Sequence, residues 1–410
     1  MIRASSGWIF FRQAGRDGRD VVMVRLGSII TQVRGVSYSP KDLHDSLNDE
    51  SVILLRANNI QDGKINLDDV VFVDKKKVST NQYLRRGDIL ICASSGSKDL
   101  VGKAAYFEEN IVATFGAFCK VARPAILCTE FIGHFFNSPF YRKRISALSS
   151  GANINNIRNE HIDNLEIALP AEDVQKLITD KLNILSKIIS LREQQLSKLD
   201  QLVKARFVEM FGDFPANPKG WKTGKIRDIV CEVRYGTSRP AVEGGKYYYL
   251  RMNNITYSGE LDLTEIKQID IPDNELEKCS VRYGDVLFNR TNSKELVGKT
   301  CVYDREESMV LAGFIIRIRV GDAILPDFLS AFLNTDFSKN MLLGMCKSAI
   351  GQANINAKEL QDIRIYLPEI EIQHEFVKFK RQVVKLKSTV KQSLEKLETL
   401  KKSMMQECFG

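Results

Sequence analysis

Two short stretches carry the side chains best equipped for directional recognition. Ser94, Ser95, Ser97 and Lys98 follow Gly87-Asp88-Ile89-Leu90, and Asn289, Arg290, Asn292 and Lys294 follow Gly284-Asp285-Val286-Leu287. An amide or a guanidinium presents paired groups that match the edge of a nucleic-acid base, while an ammonium reaches a phosphate. The competing reading is a polar turn whose Ser and Asn side chains cap their own backbone. Arg290 is the foremost candidate. Arg56-x-Asn58-Asn59 and Arg251-x-Asn253-Asn254 match each other, so holding the frame or a phosphate suits them better than specifying a base. Lys103 and Lys299 each follow a glycine and are either phosphate contacts or ordinary surface lysines. Asn153-Ile154-Asn155 and Gln352-Ala353-Asn354-Ile355-Asn356 suggest turn hydrogen bonds, with a nucleic-acid contact as the second reading.

Residues for bond-breaking chemistry are missing. The chain has no Gly-Lys-Ser/Thr phosphate loop, no G-x-G-x-x-G, no G-x-S-x-G and no His-Glu-x-x-His. Pro272-Asp273 with Glu277-x-Cys279 has the wrong spacing for a nuclease centre. The 8 cysteines form no C-x-x-C pair and the 4 histidines are far apart, which leaves no metal-ligand spacing. Catalytic residues, a metal and a cofactor are therefore all expected to be absent. Reduced, mostly buried thiols point to a cytoplasmic protein. The net charge of +8 is compatible with a nucleic-acid partner without identifying one. No apolar run approaches the ~18 residues of a membrane span.

What must position those stretches is present twice. Leu55-Arg56-Ala57-Asn58-Asn59-Ile60 returns as Leu250-Arg251-Met252-Asn253-Asn254-Ile255, and Ser97-Lys98-Asp99-Leu100-Val101-Gly102-Lys103 returns as Ser293-Lys294-Glu295-Leu296-Val297-Gly298-Lys299. A period near 200 residues means two copies of a domain-sized module. The pattern predicts an N-terminal extension over 1–22, a first module over 23–170, a helix over 171–212, a second module over 213–368 and a second helix over 369–410. The extension is expected to be loose, as chain ends usually are.

Within each module, Val70–Val73, Asp88–Cys92, Asn110–Thr114 and Phe314–Val320 read as strands, and Glu130–Ser146 and Pro326–Leu343 read as single helices. The fold class is α+β. Pro170 and Gly212 are 42 positions apart, as are Pro368 and Gly410, and neither interval holds another Gly or Pro. At ~1.5 Å per residue each makes a rod of roughly 60 Å. Apolar seams run along both: Leu182, Ile189, Leu196 with Leu185 and Leu199 beside them, then Val383, Val390, Leu397 with Leu386 and Leu400 beside them. Such seams belong to helices that supercoil against a partner. The expectation is two globular modules joined by two long antiparallel coiled-coil helices, with pseudo-twofold symmetry. Lys378, Lys380, Arg381, Lys385 and Lys387 fall to the solvated face.

A module ending in Asn-Ile-x and Leu-Pro, a long helix, Glu209-Met210-Phe211-Gly212 and then Asn217-Pro218-Lys219-Gly220-Trp221 resembles the specificity subunit of type I restriction–modification enzymes. Gly284-Asp285-Val286-Leu287-Phe288-Asn289-Arg290-Thr291-Asn292-Ser293 is similar to that family's target-recognition domain. The resemblance covers Arg25 to Gly410. It implies that each module reads one half of a split site in double-stranded DNA. It also implies that the helices set the gap and dock two methyltransferase subunits, through which ATP-driven restriction subunits join. The chain itself would have no catalytic group. Divergence between Gln61–Arg86 and Thr256–Tyr283 predicts an asymmetric target. The rival readings are a solitary specificity-subunit homologue, a self-contained methyltransferase or nuclease, and a coiled-coil scaffold that binds no DNA.

Overall fold

The computed structural model describes residues 11–14, 20–97, 99–148, 155–346 and 353–410. Lys98, Asn153, Ile154 and Gln352 lie outside the described residues, as does most of the expected extension. The chain divides into two compact units, one comprising residues 1–191 and 393–410 and the other residues 192–392. Each holds one module together with half of each long helix.

In the first unit, four antiparallel strands stand in the order Ala104–Tyr106, Ile89–Cys92, Cys119–Pro124, Ile30–Arg34. A second sheet sets Ala113–Phe115 parallel to Ser51–Leu55, followed by Val71–Asp74 and Leu43–His44. The second unit repeats this scheme with Val230–Tyr235, Ile315–Val320, Val286–Asn289 and Thr300–Val302 in one sheet. Its other sheet has Tyr247–Leu250 parallel to Met309–Leu311. The central strands are buried along their whole length, which is why they read as unbroken apolar runs rather than alternating ones.

Three expectations need correction. Glu130–Ser146 is two helices, Thr129–Phe136 and Pro139–Leu148, because Pro139 has no N–H to continue the first. Pro326–Leu343 likewise splits into Pro326–Leu333 and Asp336–Met345, with the Thr335 hydroxyl accepting from the Ser338 N–H at the start of the second. Ordered backbone also begins ahead of Met23. The strand Asp20–Arg25 pairs with Glu166–Pro170 and, on its other side, with Phe11–Ala14. The β-branched pair Val21-Val22 extends the strand that the second module starts only at Thr223.

The long helices run Glu172–Phe211 and Ile370–Phe409, 40 residues each. In the first unit Leu182 and Ile178 share a core with Met405, Phe409 and the helix Thr129–Phe136. In the second, Phe207 and Phe211 pack on Phe376 and Phe328, with Phe211 and Phe328 at 4.7 Å between ring centroids. Asp200 pairs with Lys387 while Phe207 meets Phe376 further on, so within this unit the two helices run in opposite directions.

Of the seam residues, Leu182, Val383 and Val390 are buried; Leu185, Ile189, Leu196, Leu199 and Leu397 are half-buried. Leu386 and Leu400 are instead exposed, at 56% and 54%. The second inward line of this helix is Gln373, Lys380 and Lys387, one position further round. Lys387 is buried and ion-paired to Asp200 and Glu260, and Lys380 reaches Asp327 at 2.7 Å. Two lysines assigned to the solvated face are thus tied to the module. Burial works against the Lys387 charge, but the two carboxylates outweigh it and raise its pKa.

Candidate nucleic-acid interface

The Gly-Asp pair that opens each stretch is a clamp. Gly87 and Gly284 have φ of +95° and +87°, a turn open to glycine without strain. It drops Asp88 and Asp285 into the interior, 1% and 2% exposed. Asp88 accepts from the Arg85 N–H at 2.8 Å and takes a two-pronged contact from Arg123 at 2.7 and 2.8 Å. Asp285 does the same with the Arg282 N–H and with Arg319 at 2.8 and 3.3 Å. These charge-assisted bonds fix where the next strand begins.

Beyond the strand, the two modules hold corresponding backbone in the same way. Ala93 N–H donates to the Phe118 carbonyl and Arg290 N–H to the Phe314 carbonyl, both at 2.9 Å. In return the Ala93 and Arg290 carbonyls accept from Ile157 and Ile355. Two-residue ladders follow, Ser94–Ser95 with Asn155–Asn156 and Thr291–Asn292 with Ala353–Asn354. Asn155–Asn156 and Ala353–Asn354 and the polar stretches, far apart in sequence, are therefore neighbours in both modules. Ala93 and Arg290 occupy one and the same position.

At that position Arg290 is half-buried and stacks over Tyr235, with its guanidinium carbon 4.8 Å from the ring centre. The Tyr235 hydroxyl is held by the Ala357 N–H at 2.8 Å. One Arg290 Nη donates to the Gly313 carbonyl at 3.4 Å, while the buried Nε has no hydrogen-bond partner. The fork is preorganised and incompletely satisfied. In the first module Ala93 is buried, but Arg34 stands where Tyr235 does: Arg34 pairs in register with Lys120 as Tyr235 does with Ile316. The Arg34 side chain is exposed and has no ion pair among the described residues. Sequence reasoning missed Arg34 because the two arginines sit on different strands.

The remaining candidates separate clearly. Asn289 is fully buried, donates to the Thr291 and Phe314 carbonyls and accepts from Asn292 at 2.9 Å, so both asparagines brace the turn. Ser95 Oγ accepts from the Ser97 N–H at 3.2 Å. Ser97 and Lys294 are exposed, and Lys103 is half-buried. Lys299 is 7% exposed and donates to the Met252 carbonyl at 2.7 Å. Burial lowers its pKa, and its ammonium serves the Arg251-x-Asn-Asn turn rather than the surface. In that turn the Asn254 side chain accepts from the Arg251 N–H, and Arg251 donates to the Glu265 carbonyl. Asn59, Arg56 and Asp69 repeat the arrangement in the first module.

A second cation secures each stretch from behind. Arg142 donates to the carbonyls of Val101 and Asp99 at 2.8 and 3.0 Å. At the matching place Lys339 donates to the Gly298 carbonyl at 2.7 Å and lies over Tyr257. Burial, helped by Lys204 and Lys299, lowers the Lys339 pKa to about 7.

A doubled α+β module, each copy presenting a braced polar edge and followed by a 40-residue helix, defines the class of protein. The chain belongs to the type I restriction modification DNA specificity domain family, whose model matches residues 19–201 and again 218–399. It is 30% identical over 417 residues to the type I restriction enzyme EcoKI specificity subunit of Escherichia coli K12, covering 97% of this chain and 90% of that one. It is 29% identical to the StySPI specificity subunit of Salmonella potsdam, covering 94% and 87%. A crystal structure of the type I restriction–modification S subunit from M. genitalium shares the fold at a TM-score of 0.54 and 14% identity, over 96% of this chain and 97% of that one. Among the described residues, no helix is long and apolar enough to cross a membrane.

Proposed function

We propose that this chain is the DNA-reading specificity subunit of a type I restriction–modification system, with no catalytic group of its own. Each module, 23–170 and 213–368, reads one half of a bipartite, asymmetric site. The helices 171–212 and 369–410 pair antiparallel as a coiled-coil spacer with pseudo-twofold symmetry. They set the gap between half-sites and dock two methyltransferase subunits, through which the restriction subunits join. The observation that carries this reading is the pair of equivalent edges built on one frame with unlike side chains, Arg290 and Tyr235 in one, Ala93 and Arg34 in the other. Two modules with the same frame and different tips suit two different half-sites. The last turn of each long helix packs against the helices of one module, Phe211 on Phe328 and Phe409 on Phe131, which supports a stiff spacer.

On this reading Arg290 is a base contact of the second half-site and Arg34 its counterpart in the first; Lys294, Lys103, Ser95 and Ser97 complete the polar edge. Mapping methylated adenines across the genome of cells with and without the gene tests the function. The expected result is one motif with two unlike halves and a fixed gap, lost with the gene. A palindromic motif, or no change in methylation, would overturn it.

A further inference from the structure

Phe118 and Phe314 occupy the same position in the two modules, and both project into solvent, 71% and 48% exposed. Their carbonyls anchor the polar edge: Phe118 accepts from the N–H groups of Ala93 and Ser94, and Phe314 from the Arg290 N–H and the Asn289 amide. The backbone is thus locked to the candidate interface while the ring points away from the core. Among the described residues they are the exposed aromatic pair that recurs; the aliphatic pairs Leu100 and Leu296, each 40% exposed, and Leu202 and Leu400 recur as well. Val112, 68% exposed, has Ser308 at its place in the second module. Neither phenylalanine belongs to a core cluster, and neither has a ring partner among the described residues. Their bonded neighbours are polar or cationic at the edge: Ser94 on the first module, and Asn289 with Arg290, whose guanidinium also reaches the Gly313 carbonyl, on the second. A protein-docking surface would instead be a contiguous apolar patch.

We propose that Phe118 and Phe314 are base-contacting side chains, each pressing its ring on bases or thymine methyl groups of double-stranded DNA at its own half-site. An aromatic face suits this task because it gains from base faces and thymine methyls while the neighbouring arginine takes a base edge. The inference rests on the DNA-reading function proposed above and adds the residue in each module that makes its apolar contact.

The test uses the full chain co-purified with its methyltransferase subunits and a fluorescein-labelled duplex bearing the motif obtained by methylation mapping. Phe118→Ala should bind this duplex about tenfold more weakly. The slope of affinity against salt should be unchanged, because no phosphate contact is lost. On a duplex whose first half-site is scrambled, the same variant should match the unaltered protein. Phe314→Ala should behave in the same way for the second half-site, and Phe118→Trp should retain most of the affinity. Melting temperatures should stay level, since neither ring is in the core. Unchanged affinity in both alanine variants overturns the proposal. So does loss of methyltransferase subunits from the complex with DNA affinity per assembled complex intact, which would make the ring a protein contact. If the unaltered complex binds no duplex specifically, the function proposed above fails and this inference with it.

Discussion

The two modules differ least where side chains are buried and satisfied and most where they reach outward. Asp88 with Arg123 and Asp285 with Arg319 are the same clamp. Asn59 and Asn254 close the same turn, and Gln175 and Gln373 each donate to a proline carbonyl, Pro170 and Pro368, at 2.8 Å. On the outer edge the correspondence breaks: Ala93 stands at the position of Arg290, Arg34 at that of Tyr235 and Ser95 at that of Asn292. The clamp itself is elaborated in one module only. Arg317 is buried at 1% exposure between Glu232 and Asp285, where the first module has Val121 and Thr31. A frame can be copied because its partners are copied with it. A reading edge must diverge where it takes base edges from a different sequence, as Arg290 and Arg34 would, whereas a ring pressed on base faces can be shared.

The sharpest way to break that comparison is to disarm both clamps. Asp88→Asn leaves Arg123 without its carboxylate, and Asp285→Asn withdraws charge from both Arg319 and the buried Arg317. Removing one member of a buried ion pair costs about 3–5 kcal/mol. Asp285→Asn is expected to be the more damaging, because Glu232 is then left to face two guanidiniums. Denaturant titration of both variants measures the difference; equal losses would mean that the extra arginine adds nothing to the second clamp.

Next comes the edge. Arg290→Ala should cost about 1–3 kcal/mol in binding to duplexes with an intact second half-site and relax discrimination there alone. Arg34→Ala should act on the first half-site alone, with a smaller effect because no aromatic ring among the described residues holds its fork in place. Binding titrations against duplexes altered one half at a time check both. A loss spread evenly over both halves would show that these arginines contact phosphate or support the frame.

How much of this was legible in sequence follows the same division. The duplication and both long helices could be read, with each helix end displaced by one residue, because Pro170, Gly212, Pro368 and Gly410 are local signals that need no partner. Arg290 stands out in sequence by its residue type and its place after the Gly-Asp strand, but its stacking on Tyr235 depends on a strand remote in sequence. The second inward line of the last helix could not. Lys387 lies inside only because Asp200 and Glu260 meet it there, and a lysine's burial is decided by partners remote in sequence. Arg34 was missed for the same reason: its equivalence to Tyr235 exists in the sheet register and not in any motif. Lys299, read as a surface cation, is held inward by a carbonyl that the sequence does not place beside it.

The smallest expected effect separates the two braces behind the edges. Arg142 brings a guanidinium to this place and Lys339 an ammonium, whose pKa burial holds near 7, far below the 10.5 of a free lysine. Between pH 7 and 10.5 the unfolded chain binds a proton at this lysine that the folded chain has released. Stability therefore rises with pH through that window, and the full cost of burying the charge is felt only below it. The groups around the ammonium, Lys204 from the first long helix and Lys299, deepen that cost, and the Asp336 carboxylate is already paired with Lys204. Comparison with Lys339→Met isolates the effect, since Lys120, lowered to about 8, titrates identically in both proteins. From pH 7 to 9 the unaltered protein should gain melting temperature on Lys339→Met, with a ceiling of about 1.4 kcal/mol per pH unit reduced by the partial exposure of the site. Arg142→Met should show no such drift relative to the unaltered protein over the same range. Parallel drifts in the two variants, or none in either, would mean that the two cations do not differ as their surroundings require.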